Sequence, residues 1–289
     1  MSDFDYSPAR VRSSVENSLR RLQTNYLDAV YLHDVEFVCT RVTPRQSGNH
    51  LAALAHEKVE YGLAVGDEGR IRGDGDQTVL NAFAELRKLK NEGKVKHIGI
   101  TGTHPTSYFN HSRLNRLRTG YPLPTLLRIA LLILHTPPYQ PVDVILSYSH
   151  LTLQNTTFSQ FAPLLHDRAK VGQLLAASPM SMGLLTAFPP VWHPAPPELR
   201  AAVPHLQGVW PSGLPNLALG YSIRNTGVAH GNVSLVVGLS HPAEVLESVN
   251  VWLELQKELG NDERKKAEEE VRRIFRQTGL LDWSWASPS

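Results

Sequence analysis

His33 closes Tyr26-Leu27-Asp28-Ala29-Val30-Tyr31-Leu32, a short apolar run rich in strand formers. An imidazole at the C-terminal end of a buried strand sits where α/β proteins keep reactive groups, and it can donate to a substrate oxygen near neutral pH. A structural hydrogen bond would use the same residue, so position alone leaves both roles open. The acidic, glycine-rich stretch 66–76 invites a calcium reading, but its spacing does not fit an EF-hand loop and a surface loop accounts for it. His97, His150, His193 and His205 are too scattered to form a metal set and are assigned structural roles.

The elements that must carry His33 follow a repeating order. Ser7-Pro8 reads as an N-cap with proline at the first helical position, and Val11, Val15, Leu19 and Leu22 recur at helical spacing ahead of the strand that ends at His33. The same helix-then-strand pattern predicts a helix over Val79, Phe83, Leu86 and Leu89 with a strand at 95–101, then a helix at 125–134 with a strand at 142–148. It continues with a helix at 158–168 and a strand at 172–177, and a helix at 214–224 with a strand at 233–239. Helices at 242–256 and 262–277 finish the chain. Five buried strands, each reached through a helix, predict an α/β protein with a parallel sheet, doubly wound or a (β/α)₈ barrel. Five strands cannot close such a barrel, and the two open edges would favour self-association.

At 289 residues, 42% of them apolar, the chain is long enough for one domain with a sizeable core. The single cysteine, Cys39, and the lack of an opening charged-then-apolar signal set the expectation of a reducing, cytoplasmic setting. No run approaches the length of a membrane span, and the net charge of +2 is spread rather than striped, so neither a membrane nor nucleic acid is an expected partner.

Several segments, read together, resemble one family. They are Val15-Glu16-Asn17-Ser18-Leu19-Arg20-Arg21-Leu22 with Tyr26-Leu27-Asp28, Tyr31-Leu32-His33-Asp34, and Glu92-Gly93-Lys94-Val95-Lys96-His97-Ile98-Gly99-Ile100-Thr101-Gly102. Ser178-Pro179-Met180-Ser181-Met182-Gly183 and Val236-Val237-Gly238-Leu239-Ser240 complete the set. In this order they resemble the aldo-keto reductases, and His33-Asp34-Val35-Glu36, Ile145-Leu146-Ser147-Tyr148-Ser149-His150 and Trp283-Ser284-Trp285 are similar to the D-arabinose 1-dehydrogenase and L-galactose dehydrogenase group. The resemblance implies a (β/α)₈ TIM barrel, here incomplete, with strands 4–8 present and the first three missing, as a single partial domain over 1–289.

It also implies hydride transfer between a nicotinamide cofactor and C1 of a sugar or another small carbonyl substrate, with His33 in the catalytic set. The family's aspartate, tyrosine and lysine lie on its first three strands, so impaired turnover is expected, or a non-catalytic nucleotide- or protein-binding role. For the cofactor, the resemblance points to Thr101 beside the carboxamide, with Gly102 in place of the usual asparagine. Ser178, Met180, Met182 and Gly183 form a turn whose amides suit the pyrophosphate, and Ala177 replaces an aromatic that stacks on nicotinamide. Gly238, Leu239, Glu244 and Glu247 fall near the adenosine ribose. A carboxylate at Glu244 repels a 2′-phosphate and so implies NAD rather than NADP, although a helix-start glutamate is also favoured by the helix dipole alone.

Three stretches stand outside the pattern, of which the proline-rich residues 189–215 read as a surface excursion. Residues 39–75 read as a long loop. Residues 103–119, polar, basic and without period, read as a non-family insertion, because removing them joins Gly102 to Gly120 in a run that follows the family.

Overall fold

The computed structural model describes residues 5–45, 47–102, 122–227, 233–257 and 262–285. The expected insertion at 103–119 lies outside the described residues.

Helix α1, Pro8–Leu22, begins where the Ser7 hydroxyl accepts from the Arg10 amide and proline occupies the first turn; Gln23 ends it in a left-handed conformation. Its Val11 and Val15 turn inward, and the chain enters strand β1, Leu27–His33. Helix α2, Asp74–Asn91, buries Val79, Phe83, Leu86 and Leu89, and Gly93, at φ 76°, turns the chain into strand β2, Val95–Gly102. Helix α3, Pro122–Leu134, is apolar nearly all round and almost wholly buried, the signature of a helix packed on every side. Strand β3, Val144–Tyr148, follows. Helix α4, Phe158–Pro163, continues as a wider turn over Leu164–Arg168 before strand β4, Gln173–Ala177. A short helix α5, Pro197–Ala202, lies in the stretch expected to be a surface excursion, yet that stretch buries Leu199, Val203 and Leu206 in a core, because its apolar residues outweigh its prolines; helix α6, Gly213–Asn225, leads to strand β5, Ser234–Val236, and helices α7, Pro242–Lys257, and α8, Asp262–Gln277, complete the order.

The five strands form one parallel sheet in chain order, β1 to β5, with β1 and β5 at its edges. The expected eight-stranded barrel lacking its first three strands is not what the described residues form. They make an open sheet with two apolar cores. One lies between the sheet and α1 to α4, and the other gathers Leu184, Leu199, Leu214, Leu217, Val271 and Phe275 beneath the C-terminal helices. The strand-by-strand pattern is the same in a barrel and in an open parallel sheet, because closure is a long-range property that local periodicity does not carry.

Close packing at the sheet centre depends on Gly99. A Cβ there would lie 2.4 Å from the Val144 carbonyl oxygen and 2.8 Å from the Tyr31 ring. Residues 39–75 are largely irregular but tightly tied. Buried Arg128 of α3 donates to both carboxylate oxygens of fully buried Asp76, at 2.8 and 2.9 Å, and to the Thr40 carbonyl. Within this segment, Gly48–Asn49 pairs antiparallel with Trp283–Ser284, which brings the C-terminal segment across the structure.

Candidate active site

Backbone strain marks the functional end of the sheet. Asp34, just past β1, has φ 62°; Ser149, just past β3, has φ 63°; Ser178, Ser181 and Met182, past β4, have φ 59°, 50° and 59°. Non-glycine residues in the left-handed region are uncommon, and they cluster where a structure holds the chain for a purpose. Of the nine such residues among those described, these five lie just past the C-terminal ends of parallel strands, where α/β folds bind ligands, and Gln23, Tyr139, Lys170 and Asp282 lie elsewhere.

His33 ends β1 with its side chain 68% exposed, and its Nδ1 lies 3.1 Å from Asp34 Oδ2. That contact raises the pKa of His33 above the ordinary histidine value, against the opposing effect of partial burial. Asp34 itself is buried, and its other oxygen, Oδ1, has no hydrogen-bond partner. The strand end is fixed from behind by Tyr6, whose buried hydroxyl donates to the His33 carbonyl. Burial, reinforced by the carboxylates of Glu36 and Asp34, pushes the Tyr6 phenol well up, so it keeps its proton and acts as an anchor.

Thr101 stands opposite His33 in the β1–β2 register. It is 3% exposed and its Oγ1 lacks a partner, as does the buried Ser149 Oγ beyond β3. Buried hydroxyls are normally hydrogen-bonded, so these atoms, with Asp34 Oδ1, fit a polar ligand lying along the strand ends. The next polar group along, Ser147 Oγ, is already 3.0 Å from His150 Nδ1. The rings of His150 and fully buried His50 lie 5.0 Å apart. Burial, then the neighbouring His150, holds His50 far below the ordinary histidine pKa and therefore neutral.

The turn after β4 is built from its own bonds. The Ser181 amide donates to Ser178 O, Met182 N to Ser178 Oγ at 2.8 Å, and Gly183 N to Met180 O, while the Ser178 amide donates to Val236 O. The amides of Ser178, Ser181, Met182 and Gly183 thus already have acceptors, within the turn or, for Ser178, on β5, and at these four the bonds expected toward a pyrophosphate are taken. Gly183, at φ 87°, is required where it stands, since a Cβ would also press on Pro190 at 3.2 Å. Ser181 Oγ donates to Thr152, and His193, whose ring nitrogen lies 2.8 Å from Ser181 O, meets Trp285 edge-on at 4.9 Å, which locks the turn to the C-terminal segment. Met182 is buried in the second core, with Met180 packed against it.

The remaining residues implied for the cofactor lie at the far edge of the sheet, past β5. Gly238 has open space around it, and nothing there demands a glycine. Leu239 lines an open cavity of about 460 Å³ with Ser240, His241, Pro242, Val245 and Leu246. Glu244 accepts from the Ser240 and His241 amides, capping α7; these bonds, the Ser240 one foremost, lower its pKa and keep it ionised. Glu247, one turn on, is exposed. The structure therefore groups the implied residues in three places along one end of the sheet: His33 with Thr101, the Ser178–Gly183 turn, and the cavity at the start of α7.

Asp34 and Ser149 were not singled out from sequence as site residues. A usable signal existed, since an aspartate or serine placed directly after an apolar strand tolerates or favours a sharp turn. His50, 100 residues before the His150 ring it faces, gave none. Among the described residues no group of three or more potential metal ligands occurs, and no helix is long and apolar enough to cross a membrane.

The aldo/keto reductase family model matches residues 1–265. The chain is 35% identical to L-galactose dehydrogenase of Arabidopsis thaliana over 97% of its own length and 68% of that protein's. It is 31% identical to D-arabinose 1-dehydrogenase of Saccharomyces cerevisiae over 68% of its length and 44% of the relative's. Among solved structures, the glycerol dehydrogenase of Gluconobacter oxydans matches 99% of this chain with TM-score 0.53 and 18% identity, covering 68% of its own chain. An aldo-keto reductase of Bacillus halodurans in its holo form matches 94% with TM-score 0.51 and 17% identity, covering 69% of its own. Family similarity runs through nearly the whole chain from its first residue, which overturns the expectation of a family domain with its first three strands missing. The segments quoted for the resemblance span the matched region, and the chain belongs to the aldo/keto reductase family of oxidoreductases.

Proposed function

We propose that this chain oxidises an aldose of the L-galactose or D-arabinose type at its anomeric carbon, with NAD as acceptor. The observation that carries the reading is the pairing at the strand ends: an exposed imidazole braced by Asp34 stands in register with Thr101, whose buried hydroxyl has no partner. The two named sugar dehydrogenases among the relatives supply the substrate class. A bound nicotinamide would supply the acceptor for the hydride that leaves C1. His33 holds the C1 hydroxyl by a hydrogen bond and accepts its proton as the carbonyl of the lactone forms, and Asp34 stabilises the resulting imidazolium. Thr101 and Ser149 offer hydroxyls to the cofactor's amide end, and the cavity at the start of α7 suits the adenosine end. The fixed negative charge of Glu244, with Glu247 beside it, disfavours a 2′-phosphate and supports NAD over NADP. A cytoplasmic setting belongs to the same reading; buried Cys39, its thiol pushed up to about 12 chiefly by burial, has no part in the chemistry.

Turnover should be slow. Among the described residues, the imidazole of His33 has Asp34 as its hydrogen-bond partner, while the Tyr6 hydroxyl is committed to the His33 carbonyl. One group then serves where positioned proton transfer contributes about 10²–10⁴-fold. The open cavity at the start of α7, which needs no proton-transfer group to hold a ligand, favours a second reading, nucleotide binding without turnover. Thermal melts with NAD and NADP, run beside NADH formation with both sugars, separate the two. Stabilisation with turnover supports the dehydrogenase, stabilisation without it supports the binding protein, and neither would refute both.

A further inference from the structure

One short segment, residues 280–285, ties together the chain that follows β1, β3 and β4. Trp283–Ser284 pairs with Gly48–Asn49, Gln154 Nε2 donates to the Leu280 and Trp283 carbonyls at 2.9 and 3.1 Å, and Asn155 Nδ2 donates to Ser284 Oγ at 3.0 Å. Trp285 meets His193, which in turn holds Ser181 in the turn after β4. A ladder two residues long adds little by itself, so side-chain contacts must secure the segment.

Two buried imidazoles, His50 and His150, lie under this attachment with their rings 5.0 Å apart. His50 Nδ1 is 3.4 Å from Ser284 Oγ, and that oxygen accepts from Asn155, which leaves its own proton to donate to an unprotonated Nδ1. A charged His50 would carry hydrogen on both nitrogens, lose that acceptor, and stand beside a second imidazole in a site that disfavours charge. Among the described residues, His150 is the titratable group whose charge acts on His50. The ionised groups of the surrounding elements are held elsewhere: Arg45 by Glu57, Arg128 of α3 by Asp76, Arg272 of α8 by the Leu153 carbonyl and Asp282 by the Thr156 amide. Buried Glu36 acts on Tyr6 and Cys39.

We infer that the two histidines form a proton-operated latch: protonating the pair releases residues 280–285 from Gly48–Asn49 and from 154–156 while the sheet stays folded. Release uncovers the loop after β3, with Ser149 and His150, and parts the turn after β4 from Trp285. Acid thereby opens the end of the sheet that carries His33 and Thr101, whether or not the chain turns over a sugar. The direction follows from linkage. Burial, then His150, lowers the pKa of His50 in the closed form, so the open form binds the proton first, and closure is complete above about pH 6.5 and weakens below it.

Hydrogen-exchange mass spectrometry of the full chain at about pH 7.5 and about pH 5.5, corrected for intrinsic exchange rates, tests this, since the lower value still lies above the ordinary carboxylate range. In peptides containing the Asp282 amide, which donates to the Gln154 carbonyl, protection should fall about tenfold, as a group titrating near 6.5 only in the open form requires, while β2 and β3 keep theirs. His50→Gln, which takes no proton, should show the same protection at both pH values, with circular dichroism checking its fold. The wild-type comparison decides the matter even without that variant. Unchanged protection of 280–285, a loss shared equally by β2 and β3, or a folded His50→Gln chain that keeps the tenfold response would overturn the proposal.

Discussion

The imidazole of His33 takes its properties from the residue that follows it. Asp34 lies 3.1 Å away, is buried, and raises the His33 pKa. Asp34→Asn keeps a side chain that tolerates the left-handed backbone, so the fold should persist. A proton NMR titration should then show the His33 pKa falling toward the ordinary value near 6.5; an unchanged pKa would show that Asp34 does not act on the imidazole. The sign follows from linkage: a raised folded-state pKa favours the folded protein below the unfolded value and loses that effect as pH rises through the folded one. The side chain is so exposed that the change should appear in the titration, not in stability. His33 was legible in sequence because a polar residue ending an apolar strand stands out. Its partner's strained backbone was not, since φ depends on how the following turn is packed.

At the scale of elements, every helix-to-strand unit was readable because each element buries a periodic face, and the bounds moved by only a few residues. What sequence did not show was how residues 39–75 are held. The Arg128–Asp76 pair joins residues 52 positions apart, and a buried ion pair leaves no local pattern. Arg128→Leu would strand a carboxylate with no exposure, and should cost about 3–5 kcal/mol in denaturant unfolding. Gly99→Ala is the complementary test of the sheet. The added methyl meets the Val144 backbone and the Tyr31 ring, and a loss of about 1–3 kcal/mol is expected. Wild-type stability in either variant would mean that these contacts relax freely. The Ser178–Gly183 turn was found by its glycine, but the direction of its amides was a matter of tertiary closure and had to be seen.

The whole molecule joins ends that are far apart in sequence. Gly48–Asn49 pairs with Trp283–Ser284, and Gln154 and Asn155 donate to the same terminal segment. His50 is buried beneath that junction and held neutral. Its folded pKa lies below its unfolded one, so the unfolded chain binds the extra proton first. Stability should be full above about pH 6.5 and decline below it, by up to about 1.4 kcal/mol per pH unit for this one group. His50→Gln should flatten that acid limb in urea melts, and an unaltered limb would assign the acid sensitivity elsewhere. Family membership was legible because its segments keep their order, whereas an open sheet and a closing barrel share one local pattern. The central claim, nicotinamide-linked oxidation of an aldose through His33, is met most directly by measuring NADH formation with L-galactose and D-arabinose by the purified chain and its His33→Ala variant. The account predicts slow NAD reduction by the wild type that falls at least about 10²-fold in the variant. Equal rates in the two, or none from a folded wild-type sample, would contradict it.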